Sequence, residues 1–133
     1  MALAGRSALA AFTEWLTRFG DAWEAGDADA AGALFAVGAT LQVTPFADLT
    51  RGRRQIRDQF HAEFVELPGA EFSAQILGAG DTYGIAHWRV SSRDHARDGV
   101  LVAALDDRGR CTSLRQWWHE SAQPAVNSEI SGR

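Results

Sequence analysis

Few side chains in this sequence have chemistry to offer, and they are scattered. Gln116 stands out, an amide set between Leu114 and the Trp117-Trp118 pair. A buried amide needs hydrogen-bond partners, which a ligand or a water can supply, or equally a neighbouring loop. His61 follows Phe60 in an apolar-striped stretch. At a pocket mouth it would serve as a general base near neutral pH; on the solvent side of a helix it would have no such role. Asp48, in the loop after Pro45-Phe46, can reach over such a mouth as an acid or stay solvated. Arg51-Gly52-Arg53-Arg54 opens a predicted helix, where three like charges oppose the helix dipole. That run reads as a clamp for a phosphate or another acidic group, or as a solvated charge run. His87 and His119 are of metal-binding type, but they fall on strands separated by another and no further ligand is evident. No metal and no cofactor is therefore expected. Cys111, beside a turn and without a basic neighbour, reads as inert.

These groups must be positioned by a chain of 133 residues with formal net charge −4. That is enough for a single domain with a substantial core, its body at about 9–120. The basic side chains are all arginine and dispersed, which argues against a nucleic-acid binder. No stretch approaches the roughly 20 apolar residues of a membrane span. Arg6 and Glu14 interrupt the apolar patches that a signal peptide would keep continuous. The single cysteine excludes an internal disulfide and suits a reducing cytoplasm, the expected location.

Leu9, Phe12, Leu16, Phe19 and Trp23 recur at helical steps, with Glu14, Arg18, Asp21 and Glu24 off the stripe. They predict an amphipathic helix over 7–25. Gly26 can end it, and Asp27 can cap a short Ala-rich helix over 28–35. Residues 39–44 alternate as a strand, and 45–52 read as a loop. Ile56, Phe60, Phe64 and Leu67 share one side of a third helix over 53–66, which Pro68-Gly69 breaks. Strands follow at 71–79 and 83–93, then a polar loop through His95. A hairpin of 100–105 and 111–118 comes last, turned by Asp106-Asp107-Arg108-Gly109. Its strands are too apolar on both faces to border solvent, so it belongs at the centre of a larger sheet. Residues 121–133 are small and polar and read as a flexible tail. The fold class is α+β: three N-terminal helices packed in the concavity of one curved antiparallel sheet.

Several phrases carry a resemblance: W-E-A-G-D at Trp23–Asp27, L-F-x-x-x-A-T at Leu34–Thr40, T-P-F at Thr44–Phe46 and G-R-x-x-I at Gly52–Ile56. A-H-W at Ala86–Trp88 and D-x-x-G-R with a trailing W-W at Asp106–Trp118 complete the set. In this order and spacing the chain resembles the nuclear-transport-factor-2-like superfamily, in its SnoaL-like and ketosteroid-isomerase-like branch. The resemblance implies a cone-shaped α+β barrel around a deep apolar pocket, commonly in a homodimer. It does not imply one reaction, because the fold carries isomerases, cyclases, hydrolases and plain binding proteins. Ketosteroid isomerases use an Asp before a Pro, where this chain has Val43 or Thr44, and a Tyr–Asp oxyanion hole. Phe19 and Leu101 stand at those last two places. No Arg-x-Asp on a strand matches the relay of limonene-epoxide-hydrolase-like members. SnoaL-like cyclases use an acid on the sheet; Asp98 is the candidate, on the opposite side to Leu101 by parity unless a bulge brings it in.

Phased by the resemblance, Ala86, Trp88 and Val90, then Gly99, Leu101 and Ala103, then Leu114, Gln116 and Trp118 face the interior. Phe19, Trp23, Val43, Phe60 and Phe64 add to the wall. Such a lining suits a flat hydrophobic ligand, or simply fills a core. The opposite face carries His87, Arg89 and Ser91 beside Arg115, Trp117 and His119. Trp117 among arginines is an interface composition, so a homodimer through Trp117, Arg115 and Arg89 is expected. Two functions follow. One is a SnoaL-like pocket protein that binds or converts a hydrophobic metabolite, polycyclic ones included, by proton transfer, using Gln116, His61, Asp48 or Asp98. The other is a non-catalytic binding or interaction module whose cone is closed.

Overall fold

A computed structural model describes residues 7–93 and 95–122. Ser7 caps the first helix, α1 (Ala8–Ala25), its hydroxyl accepting from the Ala10 amide at 3.0 Å. Gly26 closes the helix in the left-handed region at φ 65°, a conformation that costs glycine little. The α1 stripe buries Phe12, Leu16, Phe19 and Trp23 as its spacing requires, and Trp15 with them, while Leu9 stays exposed. Asp27 then caps α2 by accepting from Ala30.

The second helix, α2 (Ala28–Gly32), is shorter than its composition suggests, and Phe35 already begins a strand, β1 (Phe35–Gln42). The Leu34 carbonyl is taken by the Cys111 amide and by the Trp15 indole N–H at 3.0 Å, which draws the chain into the sheet. Val43 and Thr44 lie beyond that strand. The segment read as loop holds a short strand, β2 (Thr50–Arg51), paired with Thr40 and Leu41. The helix α3 (Arg53–Glu66) matches its predicted bounds, as does β3 (Glu71–Ala79). They are followed by β4 (Tyr83–Ser92), β5 (His95–Leu105) and β6 (Cys111–Ala122).

Both hairpin strands are longer than expected. His95 opens β5 rather than lying in a polar loop, because Ala96 and Arg97 are buried. Ser121 and Ala122, expected in the tail, pair with Ala96 and His95; residues 123–133 lie outside the described residues. The curved, open sheet runs β2-β1-β6-β5-β4-β3, so the hairpin is central. Pairing is antiparallel except between β1 and β6, which run parallel.

The helices lie in the concavity. Rings of α1, α3 and β1 mesh there: Trp15–Phe19 at 5.0 Å, Phe19–Phe60 at 5.5 Å and Trp23–Phe64 at 4.7 Å between centroids. Among the described residues no helix is long and apolar enough to cross a membrane.

Candidate functional site

The sheet's inward rows follow strand alternation. Ala86, Trp88 and Val90 on β4, Leu101 and Ala103 on β5, and Leu114 and Gln116 on β6 are all buried. Trp88, Gly99 and Trp118 form one rung across β4, β5 and β6. Gly99 has no room for a side chain: a Cβ there would stand 1.9 Å from the Trp117 carbonyl oxygen and 2.6 Å from the Trp118 Cα. Trp118 is half-buried, and its indole N–H donates to the Val43 carbonyl, which ties the end of β1 to β6.

Inside this surface two buried polar atoms have no partner among the described residues. The indole nitrogens of Trp23 and Trp88 are buried without a hydrogen bond. Gln116 is 3% exposed and faces the same interior.

One charged cluster occupies the same end of the cone. Arg97, two positions before Gly99 on the inward side of β5, is 5% exposed. Its Nη1 donates to Glu63 Oε1 at 2.9 Å, its Nη2 to Glu66 at 2.8 Å and its Nε to Glu120 at 3.2 Å. The guanidinium lies over the Trp118 ring, 4.4 Å from its centroid. Gln59 donates to the other Glu63 oxygen at 2.9 Å. His95 Nδ1 lies 3.1 Å from Glu120 on the outer side of the cluster. Burial raises the proton affinity of Glu63 above the usual carboxylate range, while the Gln59 hydrogen bond and Arg97 pull the other way. Glu63 is the one buried carboxyl group among the described residues.

The candidates from sequence fall in different places. Gln116 is interior. Phe19, Trp23, Phe60, Phe64, Trp88, Leu101 and Leu114 are buried, and Val43 and Trp118 half-buried. Phe19, Trp23, Phe60 and Phe64 pack ring against ring, so the helical side of the expected pocket wall is in contact with itself. His61 and Asp48 are exposed and touch no part of the cone interior: His61 is on the solvent side of α3, and Asp48 is in the loop. Asp98 is not brought inward. The β4–β5 register runs unbroken past it, so parity holds and it faces out, 2.7 Å from His87 Nε2 and 3.9 Å from Arg89. Opposite it in register stands His119.

Of the arginine run, Arg53 donates from Nε to the Phe35 carbonyl at 2.9 Å and braces β1. Arg51 and Arg54 are exposed beside an open groove of about 660 Å³ that Val37 and Arg57 also line. Arg57 is paired with Asp29 at 2.8 Å. Burial pushes the Cys111 thiol up to about 12, which leaves it a buried, unreactive core side chain.

Reading by residue type missed the Glu63–Arg97 pair. The signal was present: Glu63 lies three residues after Phe60 and one before Phe64, on the apolar stripe of α3, and Arg97 keeps the parity of Gly99 and Leu101.

A model of the SnoaL-like domain matches residues 16–119. A protein from Nocardioides simplex named Steroid Delta-isomerase is 32% identical over 109 residues, spanning 77% of this chain and 85% of the relative. Among solved structures, SalBIII, described as an epoxide hydrolase/cyclase-like enzyme in pyran ring formation in the polyether salinomycin, superposes with a TM-score of 0.73. It is 17% identical, with 83% of this chain and 94% of that one covered, a likeness of fold.

Proposed function

Because the chain belongs to the SnoaL-like family, we propose that it is a small-molecule pocket protein that binds or converts a hydrophobic, polycyclic metabolite by proton transfer, of cyclase, isomerase or hydrolase type. The observation that supports this reading is the pair of unpartnered donors inside the cone, the Trp23 and Trp88 indole N–H groups, with the buried amide-bearing Gln116 on the same face of the sheet. An unsatisfied buried donor costs about 1–3 kcal/mol. A ligand with oxygen acceptors on an apolar frame relieves that cost. The indoles can only donate, so the acceptors must come from the ligand. A steroid has this character, which agrees with the name of the Nocardioides relative. By the resemblance, Val43 or Thr44, Phe19 and Leu101 stand where ketosteroid isomerases carry their catalytic groups, so the same chemistry by the same residues is not proposed. The lone buried thiol suits a protein of the cytoplasm.

The test is native mass spectrometry of the purified protein at low and raised activation, alone and with androst-4-ene-3,17-dione. A reproducible small mass, lost in Gln116→Leu, supports the pocket. A protein that carries no adduct and gains none belongs to the second reading, a non-catalytic binding or dimeric interaction module with a closed cone. The ring-on-ring packing of α1 against α3 favours that alternative. A homodimer through the outer sheet face is part of either proposal. Trp117 is 39% exposed there, with Arg115 5.0 Å over its ring and Arg89 on the same face. A monomer alone in the same spectra refutes it.

A further inference from the structure

We propose that the groove where α2, β1 and the start of α3 meet is a second binding site, outside the cone, for a soluble phosphate monoester with an apolar body. It does not depend on how the interior of the cone is read. The groove holds about 660 Å³, within the roughly 300–1,000 Å³ of small-molecule sites.

Its walls come from local departures from regular structure. The β1–β6 register breaks between Phe35 and Thr40, and Val37, inside that break, is 71% exposed. Gly52, at φ 89°, turns the chain from β2 into α3, and its amide donates to the Ala39 carbonyl at 2.9 Å. The arginines on either side of it are thereby held next to β1. A Cβ on Gly32 would stand 2.9 Å from the Arg57 Cβ, so the glycine makes room for the Arg57 stem against α2.

Arg51, Arg53, Arg54 and Arg57 line the groove against a single carboxylate, Asp29, in a chain whose net charge is −4. Two of these arginines are anchored. Arg53 donates from Nε to the Phe35 carbonyl at 2.9 Å. Arg57 donates from Nε to Asp29 at 2.8 Å and from Nη1 to Asp58 at 3.0 Å. Arg51 and Arg54 are exposed and belong to none of the ion pairs among the described residues. Arg53 and Arg54 each lie about one turn before Arg57 on α3, and no acidic residue stands in that helix's first turn. Like charges at this spacing repel, and a dianion set among them reverses the sign. A phosphate suits the place because its oxygens accept the planar forks of several guanidiniums at once. Ala33 and Val37, both exposed, are left to meet the apolar body of the ligand. A lipid headgroup offers the same phosphate, and the test separates the two sources.

The experiment uses the full chain labelled with ¹⁵N and ¹³C, titrated by NMR with 1-naphthyl phosphate, with 1-naphthol and with inorganic phosphate. The naphthyl phosphate should saturate, shifting the Arg51 and Arg54 side-chain N–H signals together with the Val37 methyls. Inorganic phosphate should move the arginines and bind about 10-fold or more weaker, for want of the apolar contact. Naphthol should leave the arginines unmoved. Arg51→Gln with Arg54→Gln should weaken both phosphates about 100-fold, roughly 10-fold for each charge-assisted hydrogen bond removed. Its urea unfolding midpoint should stay at the wild-type value, because both side chains are exposed. Val37→Ser should weaken the naphthyl phosphate and spare inorganic phosphate. Failure to saturate at millimolar naphthyl phosphate overturns the site. So do equal shifts at Arg89 and Arg115 on the sheet face, or unchanged affinity in the double variant. Sedimentation of the chain with phosphatidic acid vesicles, without binding of the soluble phosphate, gives the arginines to a membrane surface instead and overturns the small-molecule site.

Discussion

Replacing Arg97 by Met keeps a long apolar stem and removes the guanidinium at the centre of the buried charge cluster. Its three carboxylate contacts are unequal. The Arg97 and Glu63 side chains are 6% and 9% exposed, whereas Glu66 is 67% exposed. Taking the cation from a buried pair costs about 3–5 kcal/mol, because the remaining charge is left in a poor solvent. The exposed Glu66 limb adds about 0–1 kcal/mol, and the guanidinium over Trp118 about 1 kcal/mol. These contributions share one side chain and do not simply add, so the expected loss is about 4 kcal/mol with Glu63 ionised.

The sign of the pH dependence follows. Arg97 lowers the proton affinity of Glu63, so its removal raises that affinity further. A protonated Glu63 needs no cation. The variant's deficit should therefore be largest on the alkaline side and shrink as pH falls toward the ordinary carboxylate range. Urea unfolding followed by tryptophan fluorescence at about pH 8 and about pH 5 measures both quantities. The double variant Arg97→Met with Glu63→Leu should recover most of the loss, since two apolar side chains replace a buried pair at little cost. A deficit below about 1 kcal/mol, or one equal at both pH values, would refute the view that Arg97 offsets the cost of the ionised Glu63 in the core.

Gly99→Ala should cost about 3 kcal/mol in the same unfolding assay, because the new Cβ meets the backbone of Trp117 and Trp118 rather than a side chain that can yield. Gln116→Leu replaces a buried amide by an apolar side chain of similar size, so stability should stay level or rise by about 1 kcal/mol, while any mass adduct weakens. Cys111, its thiol pushed up to about 12, should resist iodoacetamide in the folded protein at mildly alkaline pH and react once urea unfolds it; rapid labelling of the native chain would contradict its burial.

The sheet and the long helices were legible because each buries one face at a fixed period. Phe12, Leu16, Phe19 and Trp23 report a helix, and Trp88, Leu101 and Gln116 report the inward side of strands once the phase is set. What was not legible depended on partners distant in sequence. Leu34 and Phe35 have the composition of a helix end, and only the Cys111 amide, far along the chain, makes them the entry to β1. His95 to Asp98 is polar enough to pass for a loop, and only pairing with both β4 and β6 makes it strand. Glu63 and Arg97 were hidden by the same habit of reading charge as surface. Each is tolerable in the core only because the other is there, and the two are 34 residues apart in sequence.

The parallel contact between β1 and β6 also governs the order in which this chain can become a protein. During synthesis α1, α2 and β1 emerge first, yet β1 has only the two-residue β2 beside it until Cys111 and the residues after it arrive. The meander β3–β5 forms from neighbours in sequence and can assemble as it leaves the ribosome, whereas β1 and β6 must find each other across everything between Gln42 and Cys111. A nascent chain therefore carries an unfinished sheet edge and an uncovered aromatic face on α1 for most of its synthesis. Slow codons or a holding chaperone would act during that interval, and a ribosome stalled before β6 would release a chain with no closed core.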